Sequence, residues 1–374
     1  MPRKAPDYVQ EELEAWKKLA VEGHFKESRP WYSYHENFCK PMSHIVGAQE
    51  EEVVVMNSLT VNLHLLMVSF YRPNSKRFKI LIEKNAFPSD LYAVKSQARF
   101  HGFDPEEAVI ELEPDQGEFL ISQEQILSSI ETHKDSLALI LLGNCNYLSG
   151  QSFPVSTIVD KAKEWGILVG LDLAHGAGNL YLELHNWNVD FAAWCSYKYL
   201  NSGPGNLSGV FIHKKHLGEP LPRFEGWWGT DKKSRFQMKP QFEDMLTAES
   251  WQLSNPPILD LAAMRASMEI FEKTSMRQLR DRGDQLTAFL EKGLRVFLKE
   301  HIDLITPSNP SERGSMLSLR LKKGNPREFY QQLQKKKVFI DFREPDILRL
   351  TPSPLYTSYQ EVAQLVQAFK ECLQ

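Results

Sequence analysis

Cysteine is scarce in this chain. Cys39, Cys145, Cys195 and Cys372 are the four among 374 residues, and no two are close in sequence. That spacing argues against a disulfide framework or a paired CxxC metal site. It fits a reducing compartment, where cysteine serves as a small hydrophobe. No apolar run approaches the roughly 20 residues of a membrane-spanning helix. The opening stretch, MPRKAPDYVQEELEAW, turns acidic and helical without an apolar signal core. Excess charge of one sign is missing as well. Lys+Arg is 44 and Asp+Glu is 48, a net charge of -4, so neither nucleic acid nor a membrane is an expected partner. Internal repeats, low-complexity tracts, HExxH and P-loop patterns are absent. What remains is 42% apolar and 11% aromatic, enough for a real core, at a length that suggests two or three domains. The expectation is a cytoplasmic globular enzyme or binding protein.

Hydrophobic periodicity organises the chain. YVQEELEAWKKLAVEGH, HENFCKPMSHIVGA and NSLTVNLHLLMVSFY read as helices. KILIE and VIELEP read as short strands, each followed by a helix. DSLALILLG and ILVGLDL are continuous apolar runs of the kind buried on both faces of a sheet. VDFAAWCSYKYL and GVFIHK add two more strands. Strands alternating with helices predict an α/β domain around a largely parallel sheet. After Trp251 come two long helical stretches, then SMLSLRL, a helix near NPREFYQQLQKKK, VFIDFRE, ILRLTP and a final helix. That pattern suits a small α+β domain, with a long helix expected to join it to the first. The expected division is a helical segment 1–30, a large α/β domain 31–270 and a small domain 271–374.

In open α/β sheets, ligands sit beyond the carboxyl ends of the strands, so residues that end apolar runs are informative. Asp172 interrupts one such run, with His175 three residues on. Either Asp172 caps the next turn or it meets a cationic ligand group, because a buried carboxylate otherwise costs too much. A metal bound by this pair alone is weakly supported. Lys198 lies between Tyr197 and Tyr199, just before a glycine-rich loop. It is either a lysine snorkelling at a strand end or a nucleophilic amine suited to Schiff-base chemistry. Phe87 and Asp90 follow KILIE in NAFPSD. Thr60 stands at an expected helix start, as a plain N-cap or as part of a phosphate cradle. A phosphate cradle, an aromatic face, a carboxylate, a histidine and a lysine together suit one molecule, pyridoxal phosphate.

At these positions the sequence resembles the kynureninases. NSLTVNLHLLMVSFY, ILIEKNAFPSD, DLAHGAGN, WCSYKYLNSGPG, EGWWGTD, LSNPPILD and RLTPSPLYTSY carry the resemblance, in family order across nearly the whole chain. It implies a fold type I pyridoxal-phosphate enzyme with a mostly parallel seven-stranded sheet. It also implies hydrolytic Cβ–Cγ cleavage of L-kynurenine or 3-hydroxy-L-kynurenine to anthranilate or 3-hydroxyanthranilate and L-alanine, in tryptophan catabolism and NAD synthesis. Lys198 would be the Schiff-base nucleophile, Asp172 the partner of the ring nitrogen, and Tyr197 an acid/base that also donates to phosphate. Leu59, Thr60 and Trp227 would bind the phosphate region. Phe87 would stack on the ring, with Pro88, Ser89 and Asp90 beside it and His175 near the cofactor. Arg349 would clamp the α-carboxylate of the amino-acid substrate. His24 and Asn255 would face its aryl end, as in members that prefer the 3-hydroxy substrate, and Asn255 would also touch the cofactor. A homodimer is implied, with the aromatic-rich segment from Arg223 to Asn255 crossing over.

Two departures stand out. Gly143 and Leu148 replace a hydroxyl residue and a tyrosine of some relatives. The chain also starts just after the place of the family's GNSLG-like motif, so 1–30 is expected to be a truncated segment. The alternative expectation is a truncated or non-catalytic relative that binds cofactor and dimerises without efficient turnover.

Overall fold

The computed structural model describes residues 1–26 and 28–373. Its helices are α1 (Ala5–Leu19), α2 (Cys39–Val46), α3 (Leu59–Phe70), α4 (Pro88–Phe100), α5 (Pro105–Ala108), α6 (Gln123–His133), α7 (Val155–Lys163), α8 (Ile258–Phe271), α9 (Met276–Leu298), α10 (Pro326–Lys335) and α11 (Tyr359–Leu373). Its strands are β1 (Val53–Met56), β2 (Lys79–Glu83), β3 (Val109–Leu112), β4 (Leu137–Gly143), β5 (Leu168–Asp172), β6 (Phe191–Cys195), β7 (Ser208–Ile212), β8 (Ile302–Leu304), β9 (Leu317–Leu321), β10 (Asp341–Arg343) and β11 (Ile347–Leu350). Two compact units result. The first comprises Met1–Leu112, Glu124–Asn144 and Val155–Ser275; the second comprises Glu113–Gln123, Cys145–Pro154 and the chain from Met276 onward.

The first unit is built on a seven-stranded sheet of order β1-β7-β6-β5-β4-β2-β3. The strands from β2 to β6 run parallel, and β7 is antiparallel to both β6 and β1. The parallel strands are short apolar runs because helices cover both faces and leave no solvated side. The core gathers Val54, Leu66, Phe70, Ile80, Leu139, Leu141, Phe191 and Val210. Phe70 stacks on Phe191 with centroids 4.7 Å apart. From β2 the chain continues to β3 on one side, and from β4 to β5 on the other. The strand order therefore reverses between β2 and β4, the place where such sheets open a ligand crevice. The N-terminal helix belongs to this unit: Tyr8 Oη donates to Glu269 at 2.7 Å, and the Arg265 guanidinium lies 3.3 Å from the Tyr8 ring centroid.

The second unit has a four-stranded antiparallel sheet, β10-β11-β9-β8, covered by α9, α10 and α11. Leu286, Leu290 and Leu294 form the buried stripe of α9 at helical spacing. The loop segment from Cys145 joins this unit through hydrogen bonds: Ser318 Oγ and Thr306 Oγ1 donate to the carbonyls of Leu148 and Ser149, each at 2.5 Å.

Several elements differ from the sequence expectation. Strands β1 and β8 are additional; both lie at sheet edges, and each is too short to display a period. VFIDFRE contributes only Asp341–Arg343 as strand. HENFCKPMSHIVGA becomes regular α-helix only from Cys39, after a 3-10 stretch, Trp31–Phe38. The helix joining two domains is not continuous: residues 272–275 separate α8 from α9, and the unit boundary falls there. Ser58, not Thr60, occupies the cap position of α3, and its side chain makes no cap bond.

Packing between β6 and β7 is tight enough to test. Trp194 is fully buried and pairs with Gly209 across the ladder. A Cβ on Gly209 would come within 2.1 Å of the Trp194 indole. Gly209→Ala is expected to cost about 2–3 kcal/mol of stability by overpacking, read from urea denaturation. A loss below about 0.5 kcal/mol, the scale of an ordinary surface change, would contradict this packing.

Candidate active site

Each residue at the carboxyl edge of the first sheet is delivered by the end of a strand. β2 ends in Glu83 and leads through residues 84–87 to α4, whose first turn carries Pro88, Ser89 and Asp90. β4 ends in Gly143, and β5 ends in Asp172, which pairs with it. β6 ends at Cys195, and the turn after it carries Tyr197 and Lys198. That turn is pinned at its base, where Ser202 Oγ donates to Ser196 Oγ and Ser196 Oγ donates to the Leu207 carbonyl, both at 2.5 Å. Asn201, in the left-handed region at φ 54°, donates its N–H to the Lys198 carbonyl at 3.2 Å.

The dominant feature is buried acid. Asp172 is 6% and Asp90 5% exposed. One Asp172 oxygen accepts the Ala174 N–H at 2.6 Å. The two carboxyls lie within hydrogen-bonding reach of each other, and burial pushes both upward, Asp90 most strongly with the Asp172 charge beside it. Two ionised carboxylates cannot share such a place, so one holds a proton. Asp90 Oδ1 is buried without a hydrogen-bond donor. Lys198 is the cation that acts on this pair, and its Nζ lies 5.7 Å from the Phe87 ring centroid. Phe87 is 40% exposed and Tyr197 44%. Burial and the neighbouring Cys195 push the Tyr197 hydroxyl up to about 12, so it keeps its proton at neutral pH. His175 packs edge-on against Tyr199, centroids 5.7 Å apart.

A second group lies at the N-terminus of α3. Leu59 and Thr60 are half-buried in its first turn, where backbone N–H groups lack intrahelical acceptors. Beside Ser58 is a cavity of about 200 Å³, lined by Asn57, Ser58, Gly205, Leu207, Asn255 and Asp260. Asn255 therefore sits with the cap of α3. His24 and Trp227 belong to an aromatic cluster instead. His24 packs against Trp31 at 5.3 Å and Phe25, and Phe25 and Trp227 both touch Phe236. Trp227 Nε1 donates to the Arg235 carbonyl at 3.2 Å. In the second unit, Arg349 is 7% exposed. Its Nε and Nη2 donate to Asp341 at 2.7 and 2.6 Å, and Nη1 donates to the Tyr147 carbonyl. Its fork is aimed at a carboxylate, which Asp341 supplies.

Two further polar groups lie at this edge and carried no expectation from the sequence. Glu83 ends KILIE just as Asp172 ends its own apolar run, so the same signal was available. Asn144 follows Gly143; its N–H donates to the Asp172 carbonyl at 3.1 Å, and its buried Oδ1 has no donor.

The residues fit a cationic ring with an aldehyde and a phosphate. Buried carboxylates in excess, one with an unsatisfied oxygen, call for a positive partner. An amine and an exposed aromatic face stand next to them. The resemblance to kynureninases and this donor set therefore agree.

Comparison with known proteins supports the same reading. A family described as "Kynureninase C-terminal domain" matches residues 279–369. A kynureninase of Myxococcus xanthus is 52% identical, with 99% of this chain and 87% of that protein covered. One of Nematostella vectensis is 45% identical, with 98% and 81% covered. Among solved structures, a cysteine desulfurase from Thermococcus onnurineus matches with a TM-score of 0.78 at 17% identity, covering 98% of this chain and 91% of that one. A C-DES variant with glycine covalently linked to its PLP cofactor matches with a TM-score of 0.82 at 16% identity, covering 99% and 94%. At such identities the structural likeness is one of fold alone, but near-full-length identity of about half settles the family: this chain belongs to the kynureninases.

Proposed function

We propose that this chain is a pyridoxal-phosphate-dependent hydrolase. It cleaves the Cβ–Cγ bond of L-kynurenine or 3-hydroxy-L-kynurenine with one water, which adds to the γ-carbonyl, giving anthranilate or 3-hydroxyanthranilate and L-alanine. The observation that carries this is the 52% identity to a kynureninase over 99% of the chain.

Bound pyridoxal phosphate supplies an electron sink for negative charge at the substrate α-carbon. The chain supplies the rest. Lys198 would be the amine that holds the cofactor aldehyde, and its Nζ would move the substrate α-proton. Asp172 would pair with the ring nitrogen, and Asp90, the carboxyl pushed up more strongly, would keep its proton and donate to Asp172. Phe87 covers one ring face, with Pro88 and Ser89 shaping the turn and His175 nearby. The α3 N-terminus, through Leu59 and Thr60, holds phosphate. Trp227 adds a donor when it leaves the Arg235 carbonyl. Tyr197, protonated at neutral pH, delivers a proton to the product carbon and also donates to phosphate. Arg349 exchanges Asp341 for the substrate α-carboxylate, a bidentate contact that lysine cannot reproduce. His24 and Asn255 offer polar atoms to the aryl end.

This reading includes a homodimer. Support comes from exposed aromatics in the Arg223–Asn255 segment: Phe224, Trp227 and Phe236 are 56%, 45% and 51% exposed. It also includes a cytoplasmic setting, supported by four cysteines that are all free. Among the described residues, no helix is long and apolar enough to cross a membrane.

Protein reconstituted with pyridoxal phosphate should show a visible absorbance band and release anthranilate and L-alanine from L-kynurenine. Lys198→Ala should lose the band and at least about 1,000-fold of the rate. A variant that kept both would contradict the assignment. A role for both His24 and Asn255 at the aryl end also predicts a preference for the 3-hydroxy substrate of about 10-fold in kcat/KM. A bias toward plain kynurenine would contradict their role.

A further inference from the structure

One acidic group at the carboxyl edge is not used by the mechanism above. Glu83 ends β2, is 4% exposed, and accepts the Gly143 N–H at 3.2 Å on Oε1 and 3.1 Å on Oε2. Gly143 ends β4 and pairs with Asp172 at the end of β5. Since β4 lies between β2 and β5, three adjacent strand ends read carboxylate, glycine, carboxylate. No side chain on Gly143 separates the two acids. The contact from Glu83 to Gly143 also bridges β2 and β4, where the strand order reverses.

The surroundings of Glu83 offer it no cation of its own. The buried Asp190 is paired with His216 at 2.8 Å and Lys215 at 2.7 Å. Among the described residues, Glu83 has no such ion pair. Asp172 faces it from β5 and Asp90 from α4. β4 offers only backbone, and β3 on the other flank carries the half-buried Glu111. His64 of α3 is engaged by Gln97 at 3.1 Å. The amine acting on the pair is Lys198. Three buried carboxylates against one ammonium leave excess negative charge, which must take up protons or a cationic ligand.

Resting on the cofactor reading above, we propose that Glu83 is a third carboxylate of the ring-nitrogen site. It is a positioning residue that acts through Asp172 and Asp90, and its negative charge strengthens the hold on a cationic ring. Burial pushes the Glu83 carboxyl up to about 7, with Asp172 adding to the rise and the Gly143 N–H opposing it. Below that pH Glu83 is neutral and adds nothing to cation binding; above it the charge is present. In the cofactor-free protein the sign is opposite. Between the ordinary carboxyl range near 4.5 and about 7, the folded state keeps a proton that the unfolded state has lost. Stability conferred by this group falls through that window and is level above it.

The probe is pyridoxamine 5′-phosphate, which carries the ring and phosphate but cannot link covalently to Lys198. Its affinity for cofactor-free wild type and Glu83→Gln is measured by calorimetry at about pH 6 and about pH 8.5. Glutamine keeps an acceptor for Gly143, and taking the ratio of the two proteins cancels titration of the probe. The ratio of wild-type to variant affinity is expected to be about 1 at the lower pH and about 10 at the higher. A ratio that does not change with pH, including equal weakening at both, would assign Glu83 to packing and overturn the proposal. Wild type that binds no probe at either pH would overturn the cofactor reading itself. Thermal melting of both cofactor-free proteins gives a second readout. The Tm of wild type relative to Glu83→Gln should fall by about 3 °C or more between pH 4.5 and 7, and a difference that stays level would also overturn the proposal.

Discussion

Buried negative charge at the carboxyl edge of the parallel sheet is the constraint on which the site depends. A carboxylate removed from water is tolerated only with a proton, a cation or several donors. Asp190 meets this rule through His216, Lys215 and the Val169 N–H. Glu52, fully buried, accepts the backbone N–H groups of Gln49 and Lys214 and faces His185 at 2.9 Å. These acids are satisfied within the fold and stabilise it. Glu83, Asp90 and Asp172 are not satisfied in the same way, and an Asp90 oxygen has no donor. In the proposed site, this difference is what separates structural acid from acid kept for a ligand.

The architecture makes such a cluster possible. Parallel strands end together, so one residue from each of β2, β4 and β5 meets at a single edge. The sheet reverses direction of winding between β2 and β4, and the connecting segments diverge there. The tightly packed interior beneath, from Phe191 and Trp194 to Gly209, fixes these ends. The Lys198 turn is fixed by hydroxyl bonds at its base rather than by its own side chain. The aromatic cluster around Phe236 and the Arg349 fork are separate constructions, each with partners of its own.

Much of this was legible in the sequence because it rests on local pattern. Apolar runs gave β2 through β7, and the residues ending two of those runs gave Asp172 and Lys198. The edge strands β1 and β8 left no period to read, since an edge strand of three or four residues is held by its neighbour rather than by alternation. Glu83 stayed hidden in KILIE because a glutamate after an apolar run is commonplace. Only strand order reveals that it sits one glycine away from Asp172. Partner choice was likewise out of reach: that Arg349 would meet Asp341 follows from the β10–β11 register, where the two are directly opposite. The cap of α3 was misassigned by two positions because Ser58 and Thr60 are both plausible caps by type.

The central claim is that this acidic edge keeps a bound pyridine ring positively charged. The direct measurement is the nitrogen-15 NMR shift of ring-labelled pyridoxal phosphate bound to the protein at mildly alkaline pH. A protonated ring nitrogen in wild type, becoming neutral in Asp172→Ala, is the predicted result. A neutral ring nitrogen in wild type would contradict the account.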